Sequence, residues 1–250
     1  MHSSELMVTR IADRQWHALT ADRVVGSGEA SPRPDGRLFL SIDSWQDEAF
    51  DRLAGAMLAE LPKPLYTLVD EADLELTTQW RRAGLATRRR EWEYRVPTDP
   101  AITGLDSAPP PDIEVLNFGA AEVHSLRALD RTVRAEVEAA AGWHTMPAEV
   151  ISPPIDPANY VVAAQAGRYV GLCRVAQPTR LPRIGLVAVR ADARRRGIAR
   201  ALLGRTLSSL HRTGKTWAAA EIDESNAAAT ALFEGIGAER SNSTLELVWR

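Results

Sequence analysis

Three consecutive arginines and a glycine, Arg194-Arg195-Arg196-Gly197, form the segment of this sequence best suited to bind an anion. An apolar run of strand length, residues 184–189, precedes them, and apolar residues recur after them at helical spacing. A helix that begins near Ile198 presents unpaired backbone N–H groups and the positive end of its dipole. Glycine allows close approach of the main chain to a phosphate, and arginine adds forked donors. We therefore predict a pyrophosphate site at this junction.

A solvent-exposed basic first turn is the structural alternative for the same segment. Three like charges at the N-terminus of a helix oppose its dipole and cost stability, which makes a purely structural role less favourable. A DNA-contacting helix would also carry arginines. The whole sequence has a net charge of −3, however, whereas domains that bind nucleic acid are generally basic. We therefore expect no nucleic-acid partner.

Two residues are candidates for proton transfer. Glu221 and Asp223 lie two positions apart, so a strand there directs both to one side, and Glu221 could accept a proton directly or through water. It could equally pair with an arginine at the sheet surface. His144, beside Trp143 in a predicted loop, has a side chain suited to general base catalysis near neutral pH. A loop histidine can also be a simple surface residue, so both assignments keep their structural alternative.

Cys173 is the single cysteine of the sequence, so an intramolecular disulfide is excluded. It lies within a predicted strand and has no neighbouring His or Asp in the sequence, which favours core packing over nucleophilic catalysis. No Cys/His cluster has the spacing of a zinc site. We expect no metal.

The elements that must position these residues follow from hydrophobic periodicity and from turn residues. In the C-terminal part, strands are predicted at 113–116, 160–164, 169–176, 184–189, 217–222 and 244–249, and helices at 120–141, 197–212 and 226–234. In the N-terminal part, strands are predicted at 38–42, 65–69 and 88–96, and helices at 47–60 and 74–83. The proline-rich stretch 99–111 is predicted to be an extended linker between domains 1–98 and 112–250.

Two motifs in the C-terminal part resemble those of the GNAT acetyltransferase family. Arg194, Gly197 and Ala199 match the family's Arg-x-x-Gly-x-Ala loop between a strand and a helix. The segment from Asn226 to Ala238 is similar to the family's Asn-x-x-Ala-x-x-Leu-Tyr-x-x-x-Gly-Phe segment. The resemblance covers about residues 113–250. It implies an α/β (α+β) fold with a mixed, mostly antiparallel twisted sheet flanked by helices.

The resemblance also implies an activity: transfer of an acetyl group from acetyl-CoA to an amine of a small molecule or peptide, by direct attack. The family's fourth and fifth strands splay apart, and the thioester lies between them. The implied cofactor-binding residues are Val187, Ala188, Val189, Arg194, Arg195, Arg196, Gly197, Ile198, Ala199, Arg200, Asn226 and Phe233. Asn226 could instead be only a helix cap.

Proton transfer departs from the family pattern. Phe233 stands where the family usually has a tyrosine that acts as general acid, and Arg183 stands at a common position of the family's base. An acyl-CoA-binding module without catalysis is therefore the alternative function.

The N-terminal half repeats the β-α-β-α-β order of the C-terminal half, which predicts a divergent, reduced GNAT-like repeat. An unrelated α+β domain with the same common order is the alternative. The corresponding loop, Asp43 to Glu48, has three carboxylates and no glycine, so it would repel a pyrophosphate. We expect Ser44 and Asp47 to cap the helix that follows, and we expect one cofactor site in the chain.

Composition is typical of a soluble globular protein: 250 residues, 45% hydrophobic and 25% charged. No apolar run approaches the roughly 20 residues that span a bilayer, and the start of the sequence lacks a signal-peptide pattern. We expect a cytoplasmic protein without a membrane partner. The sequence leaves the acceptor and the oligomeric state open.

Overall fold

The computed structural model describes residues 5–106, 108–140, 142, 155–176 and 181–250. The chain divides into two compact units. The first unit contains the residues up to Glu91 together with Asn242–Arg250, and the second unit contains Trp92–Ser241. The predicted domain limits 1–98 and 112–250 stay a prediction; the proposed linker at 99–111 lies inside the second unit.

Strands dominate the first part of the chain, and helices and strands alternate in the rest. Up to residue 97 the elements are β1 (Met7–Ala12), β2 (Gln15–Thr20), β3 (Arg23–Pro32), β4 (Leu38–Ser44), α1 (Asp47–Glu60), β5 (Leu65–Asp70), α2 (Leu74–Arg82) and β6 (Ala86–Pro97). After it they are α3 (Pro100–Thr103), β7 (Glu114–Leu116), α4 (Val123–Ala140), β8 (Tyr160–Gln165), β9 (Arg168–Ala176), β10 (Arg183–Val189), α5 (Ile198–Arg212), β11 (Trp217–Asp223), α6 (Ala227–Glu234) and β12 (Glu239–Trp249).

The first unit is a mostly antiparallel sheet in the order β1-β2-β3-β4-β5-β12-β6, to which β12 and β6 contribute the segments 242–249 and 86–91. β4 and β5 are parallel neighbours. The helix α1 packs on this sheet through a buried apolar stripe that includes Phe50, Leu53 and Met57. This spacing is that of an amphipathic helix, so the sequence predicted its bounds, 47–60, correctly.

The second unit has the strand order β12-β6-β11-β10-β9-β8-β7. In this unit β10 and β11 are the parallel neighbours. The helix α5 packs on one face of the sheet through Ile198, Leu202 and Leu203, and α4 packs on the other face through Leu126 and Leu129. Both units are therefore sheets flanked by helices, which confirms the predicted fold class.

The strands β6 and β12 each contribute residues to both units. Residues 244–249 of β12 pair with β5 in the first unit, and residues 92–97 of β6 belong to the second unit, in which β6 neighbours β11. Strand partners of this kind depend on pairing between residues distant in sequence, which periodicity does not report.

Part of the first unit and part of the proline-rich stretch escaped the sequence-based prediction. β1 to β3 were missed because residues 7–32 are rich in charged and small side chains, and β1 is almost entirely exposed. The stretch 99–111 is not extended throughout, since Asp99 caps the short helix α3 by accepting from the Ala101 N–H. Leu105 beyond it is buried.

Two glycines inside helices make a matched test of this packing. A Cβ on Gly204 of α5 would lie 2.6 Å from the backbone oxygen of Leu105, whereas a Cβ on exposed Gly55 of α1 would meet nothing within 4 Å. We predict that Gly204→Ala lowers the free energy of unfolding by about 1–3 kcal/mol because backbone must shift. Gly55→Ala should raise it by about 0.5–1 kcal/mol. Urea unfolding followed by circular dichroism measures both, and a Gly204→Ala protein as stable as wild type would contradict the packing.

Candidate functional site

The parallel strands β10 and β11 separate soon after they begin. They pair only at Arg183 with Ala219 and at Ile184 with Ala220. On its other side β10 stays paired with β9 as far as Val189. From Gly185 onward β10 therefore has one edge that no strand of the described chain covers, at the splay that the sequence predicted.

The register of β9 and β10 determines which backbone groups face this open edge. The Arg190 N–H donates to the Val170 carbonyl at 2.9 Å, and Ala188 lies opposite Leu172. Backbone groups alternate in direction along an antiparallel strand. Those of Ala188 and Arg190 therefore point to β9, and those of Val187 and Val189 point to the open edge. The main chain of Ala188 is thus engaged in the sheet, and only its side chain is left for the predicted contact with a cofactor.

A β-bulge lies where the two strands begin to separate. The register of β10 against β9 shifts between Ile184 and Leu186, which makes Gly185 the extra residue. A Cβ on Gly185 would lie 3.2 Å from the Nη1 atom of Arg174. Sequence reasoning missed this bulge, although an isolated glycine inside an apolar strand pattern is a recognised signal for one.

The N-terminus of α5 is open to a ligand. Gly197, its N-cap, has φ +81°, makes no side-chain cap, and is followed by a first turn without acidic residues. The first intrahelical hydrogen bond is made by the Ala201 N–H, which donates to the Gly197 carbonyl at 3.1 Å. A Cβ on Gly197 would meet only the Cγ of Pro110, at 3.8 Å. The N–H groups of 198–200 therefore face a cradle that a side chain at position 197 would fill.

The side chains of Arg194 and Arg196 are held by neighbours. Arg194 donates to the Val189 carbonyl at 3.0 Å and pairs with Glu136 of α4 at 3.1 Å. Arg196 pairs with the Asp112 carboxylate, and the hydrogen bond from Arg196 lowers the pKa of Asp112. These two side chains therefore hold the loop in shape, and the assignment of both arginines as cofactor ligands stays a prediction.

Arg195 and Arg200 differ from them. Neither has a hydrogen bond or an ion pair within the part of the chain that the structure describes, and both side chains are exposed. Arg195 also adopts a left-handed conformation, with φ +65°. Such a conformation is uncommon for a residue other than glycine and costs energy, so the surrounding loop holds Arg195 in place.

Two predicted cofactor contacts lie on α6. Asn226 is the N-cap, and its Oδ1 accepts from the Ala229 N–H at 3.0 Å, which confirms the capping role. Phe233 is 4% exposed and packs against the ring of Tyr94 in the core. Phe233 is therefore a core residue whose ring is enclosed by protein, and its role as a cofactor contact stays a prediction.

Of the two predicted catalytic residues, the structure describes only Glu221. Glu221 pairs with Arg183 at 2.7 Å, which is the structural alternative foreseen for it. His144 lies outside the described residues. Cys173 is fully buried, and burial raises the pKa of its thiol to about 12. An inert core thiol is what the sequence predicted.

The corresponding elements of the first unit differ in two ways. β4 and β5 also pair at only two positions, Leu38–Leu65 and Phe39–Tyr66, but the buried Thr67 hydroxyl donates to the Leu40 carbonyl at 2.9 Å and bridges the strands. The first turn of α1 carries Asp47 and Glu48. Gln46 is the N-cap and lacks a side-chain cap, so the expected cap by Ser44 and Asp47 is wrong: Ser44 donates to the Gln46 carbonyl instead.

Comparison with known families agrees with this geometry. The sequence model described as the acetyltransferase (GNAT) domain matches residues 132–247. The chain therefore contains a GNAT acetyltransferase domain. The open edge of β10, the bulge at Gly185 and the N-terminus of α5 all lie within this GNAT domain. No curated protein matches the chain in sequence.

Solved structures similar to this chain share its fold at low sequence identity. A GCN5-related N-acetyltransferase from Sphaerobacter thermophilus is 16% identical, with a TM-score of 0.66, over 96% of this chain and 82% of its own. A tandem GNAT protein from the clavulanic acid biosynthesis pathway, described without AcCoA, is 15% identical, with a TM-score of 0.66, over 94% and 82%. A GCN5-related N-acetyltransferase from Kribbella flavida is 13% identical, with a TM-score of 0.61, over 98% and 89%.

The GNAT fold supports acyl transfer in general. None of the helices described is both long enough and apolar enough to cross a lipid bilayer.

Proposed function

We propose that the GNAT domain binds acetyl-CoA and transfers its acetyl group to an amine of a small molecule or peptide by direct attack. The observation that carries the proposal is the open edge of β10, which leads directly to the uncapped N-terminus of α5. When bound, acetyl-CoA supplies an acyl group activated as a thioester. The remaining chemistry must come from residues of this chain.

Phosphate binding is assigned to the first turn of α5. The N–H groups of residues 198–200 and the positive end of the helix dipole favour an anion at this point. Arg195 and Arg200 supply guanidinium groups that no described residue occupies. Arg194 and Arg196 keep the loop in shape through Glu136 and Asp112.

We assign two roles to β10. It binds the extended arm of CoA, and it stabilises the negative charge that develops on the thioester oxygen. Val187 and Val189 turn backbone groups toward the open edge, and the Val189 carbonyl is already used by Arg194. The N–H groups of both valines can therefore donate to carbonyl oxygens along this edge. Fixed donors of this kind stabilise negative charge on an oxygen at low reorganisation cost.

Of the two proton transfers, only the removal of the amine proton is assigned to a residue of this chain. Ala220 and Ile222 of β11 point into the core beneath α5, so Glu221 between them faces the α4 side of the sheet. We propose Glu221 as the acceptor of the amine proton, in spite of its pair with Arg183. Phe233 has no proton to give, so the departing thiolate takes its proton from solvent.

The first unit is proposed to be a GNAT-like repeat that binds no CoA. It shares the parallel pair that separates after two residue pairs. Its Thr67–Leu40 bridge and its acidic first turn at Asp47 oppose entry of a phosphorylated ligand.

An acyl-CoA-binding module without catalysis is the second candidate. It is favoured by the ion pair that engages Glu221 and by the burial of Phe233.

Release of free CoA separates the two candidates. We predict that the protein, incubated with acetyl-CoA and a panel of amines, releases thiol at a rate above hydrolysis with at least one amine. The rate is measured with a thiol-reactive chromophore. Saturable CoA binding without amine-dependent release across the panel would instead establish the binding module.

A charge placed at the N-cap tests the phosphate site. We predict that Gly197→Asp lowers CoA affinity at least about 100-fold, because a carboxylate repels phosphate and its side chain fills the cradle. Gly214→Asp is the matched control: it has φ +80°, open surroundings, and lies beyond the opposite end of the same helix. Calorimetric titration with CoA measures both variants. Equal affinities would contradict the site.

A further inference from the structure

A row of side chains crosses the second unit on the face that α4 covers. The register places Tyr160 of β8 opposite Arg174 of β9, and Arg174 opposite Leu186 of β10. Tyr160 and Leu186 belong to the apolar cluster that α4 closes through Leu126. The row therefore ends beside the bulge at Gly185, where β10 and β11 separate.

Two polar groups of this row are buried without partners. Tyr160 is 1% exposed, and neither its hydroxyl nor the Nε atom of Arg174 has a hydrogen-bond partner within the described chain. Burial raises the pKa of Tyr160, opposed by the Arg174 guanidinium, so the phenol is a proton donor at neutral pH. Leaving a buried donor unpaired costs about 1–3 kcal/mol, so a site that keeps two of them is suited to a ligand that accepts from both.

The charge of Arg174 is also left without an ion pair within the described residues, although the Asp130 carboxylate lies close enough to Tyr160 to raise the pKa of its phenol. Asp130 is the buried acidic residue of α4, and it accepts from Arg134, one turn away, at 2.6 Å. No carboxylate of the described residues forms an ion pair with Arg174. A half-buried guanidinium is stabilised by hydrogen bonds to an anion, and a carboxylate matches its two parallel N–H donors.

The position of Arg174 relates this charge to the proposed reaction. Its Nη1 atom lies 3.2 Å from where a Cβ of Gly185 would be. Glu221 faces the same side of the sheet from β11, across the opening. Adjacent strands lie about 5 Å apart, so an arginine two strands away from a glutamate flanks the opening within reach of one small zwitterion.

We propose that Arg174 and Tyr160 bind a carboxylate of the acceptor, which makes the acceptor an amine that also carries a carboxylate, such as a free amino acid. This inference rests on the proposed acetyl transfer. The guanidinium of Arg174 and the phenol of Tyr160 donate to the carboxylate. The amine of the acceptor then lies toward the opening, on the side of Glu221.

Paired acceptors test the subsite. The wild-type protein is assayed for CoA release from acetyl-CoA with the common L-amino acids and with their C-terminal amides. We predict a kcat/KM at least about 10-fold higher for the acids. Arg174→Gln should reduce kcat/KM about 100-fold for the acids and change it less than about 2-fold for the amides. Arg174→Lys should retain part of the preference, because it keeps the charge but loses the fork.

The controls separate folding from recognition. Arg131→Gln removes an exposed guanidinium from α4 and should change neither kcat/KM. Tyr160→Phe removes only the hydroxyl and should reduce kcat/KM for the acids about 5- to 10-fold. Equal use of acids and amides by the wild-type protein, or an equal loss on both with Arg174→Gln, would overturn the subsite and leave acetyl transfer standing. Absence of release with every acid and amide, together with release from another amine of the panel, would overturn the subsite alone, and absence of release with every amine would overturn both proposals.

Discussion

The separation of β10 from β11 after Ile184 is the constraint on which the site depends. A strand interior normally has both edges paired, because unpaired backbone groups are costly when they are removed from water. In this sheet the extra residue at Gly185 shifts the register on one side, and the parallel partner departs on the other. The strand thus offers Val187 and Val189 to a ligand, and it leads the chain to the uncapped first turn of α5.

The first unit differs from this arrangement in two features. It has a parallel pair that also separates after two residue pairs, yet the Thr67 hydroxyl occupies the Leu40 carbonyl across the gap. Asp47 and Glu48 already complement the dipole of α1. In the second unit the corresponding helix, α5, has no acidic residue in its first turn. The residues at the start of each helix, more than the fold around them, therefore distinguish the proposed CoA site at α5 from the corresponding start of α1.

Local signals predicted much of this architecture and site. The apolar stripe of α1 gave its bounds, and Gly197 after a strand-length apolar run gave the helix start that the structure places at Ile198. What was missed depends on pairing between distant residues. Periodicity could not report that Ala188 turns its backbone to β9, or that β12 pairs with β5. The sequence pattern did not single out Arg174, because only the strand register places it opposite Tyr160 and Leu186.

Amide hydrogen exchange with and without CoA tests the central claim most directly, since it reports on individual backbone donors. Binding of CoA at the open edge predicts slower exchange at Val187, Val189 and residues 198–200, and unchanged exchange at residues 45–49 of the first unit. Unchanged exchange at 198–200 under saturating CoA, or equal protection at 45–49, would contradict it.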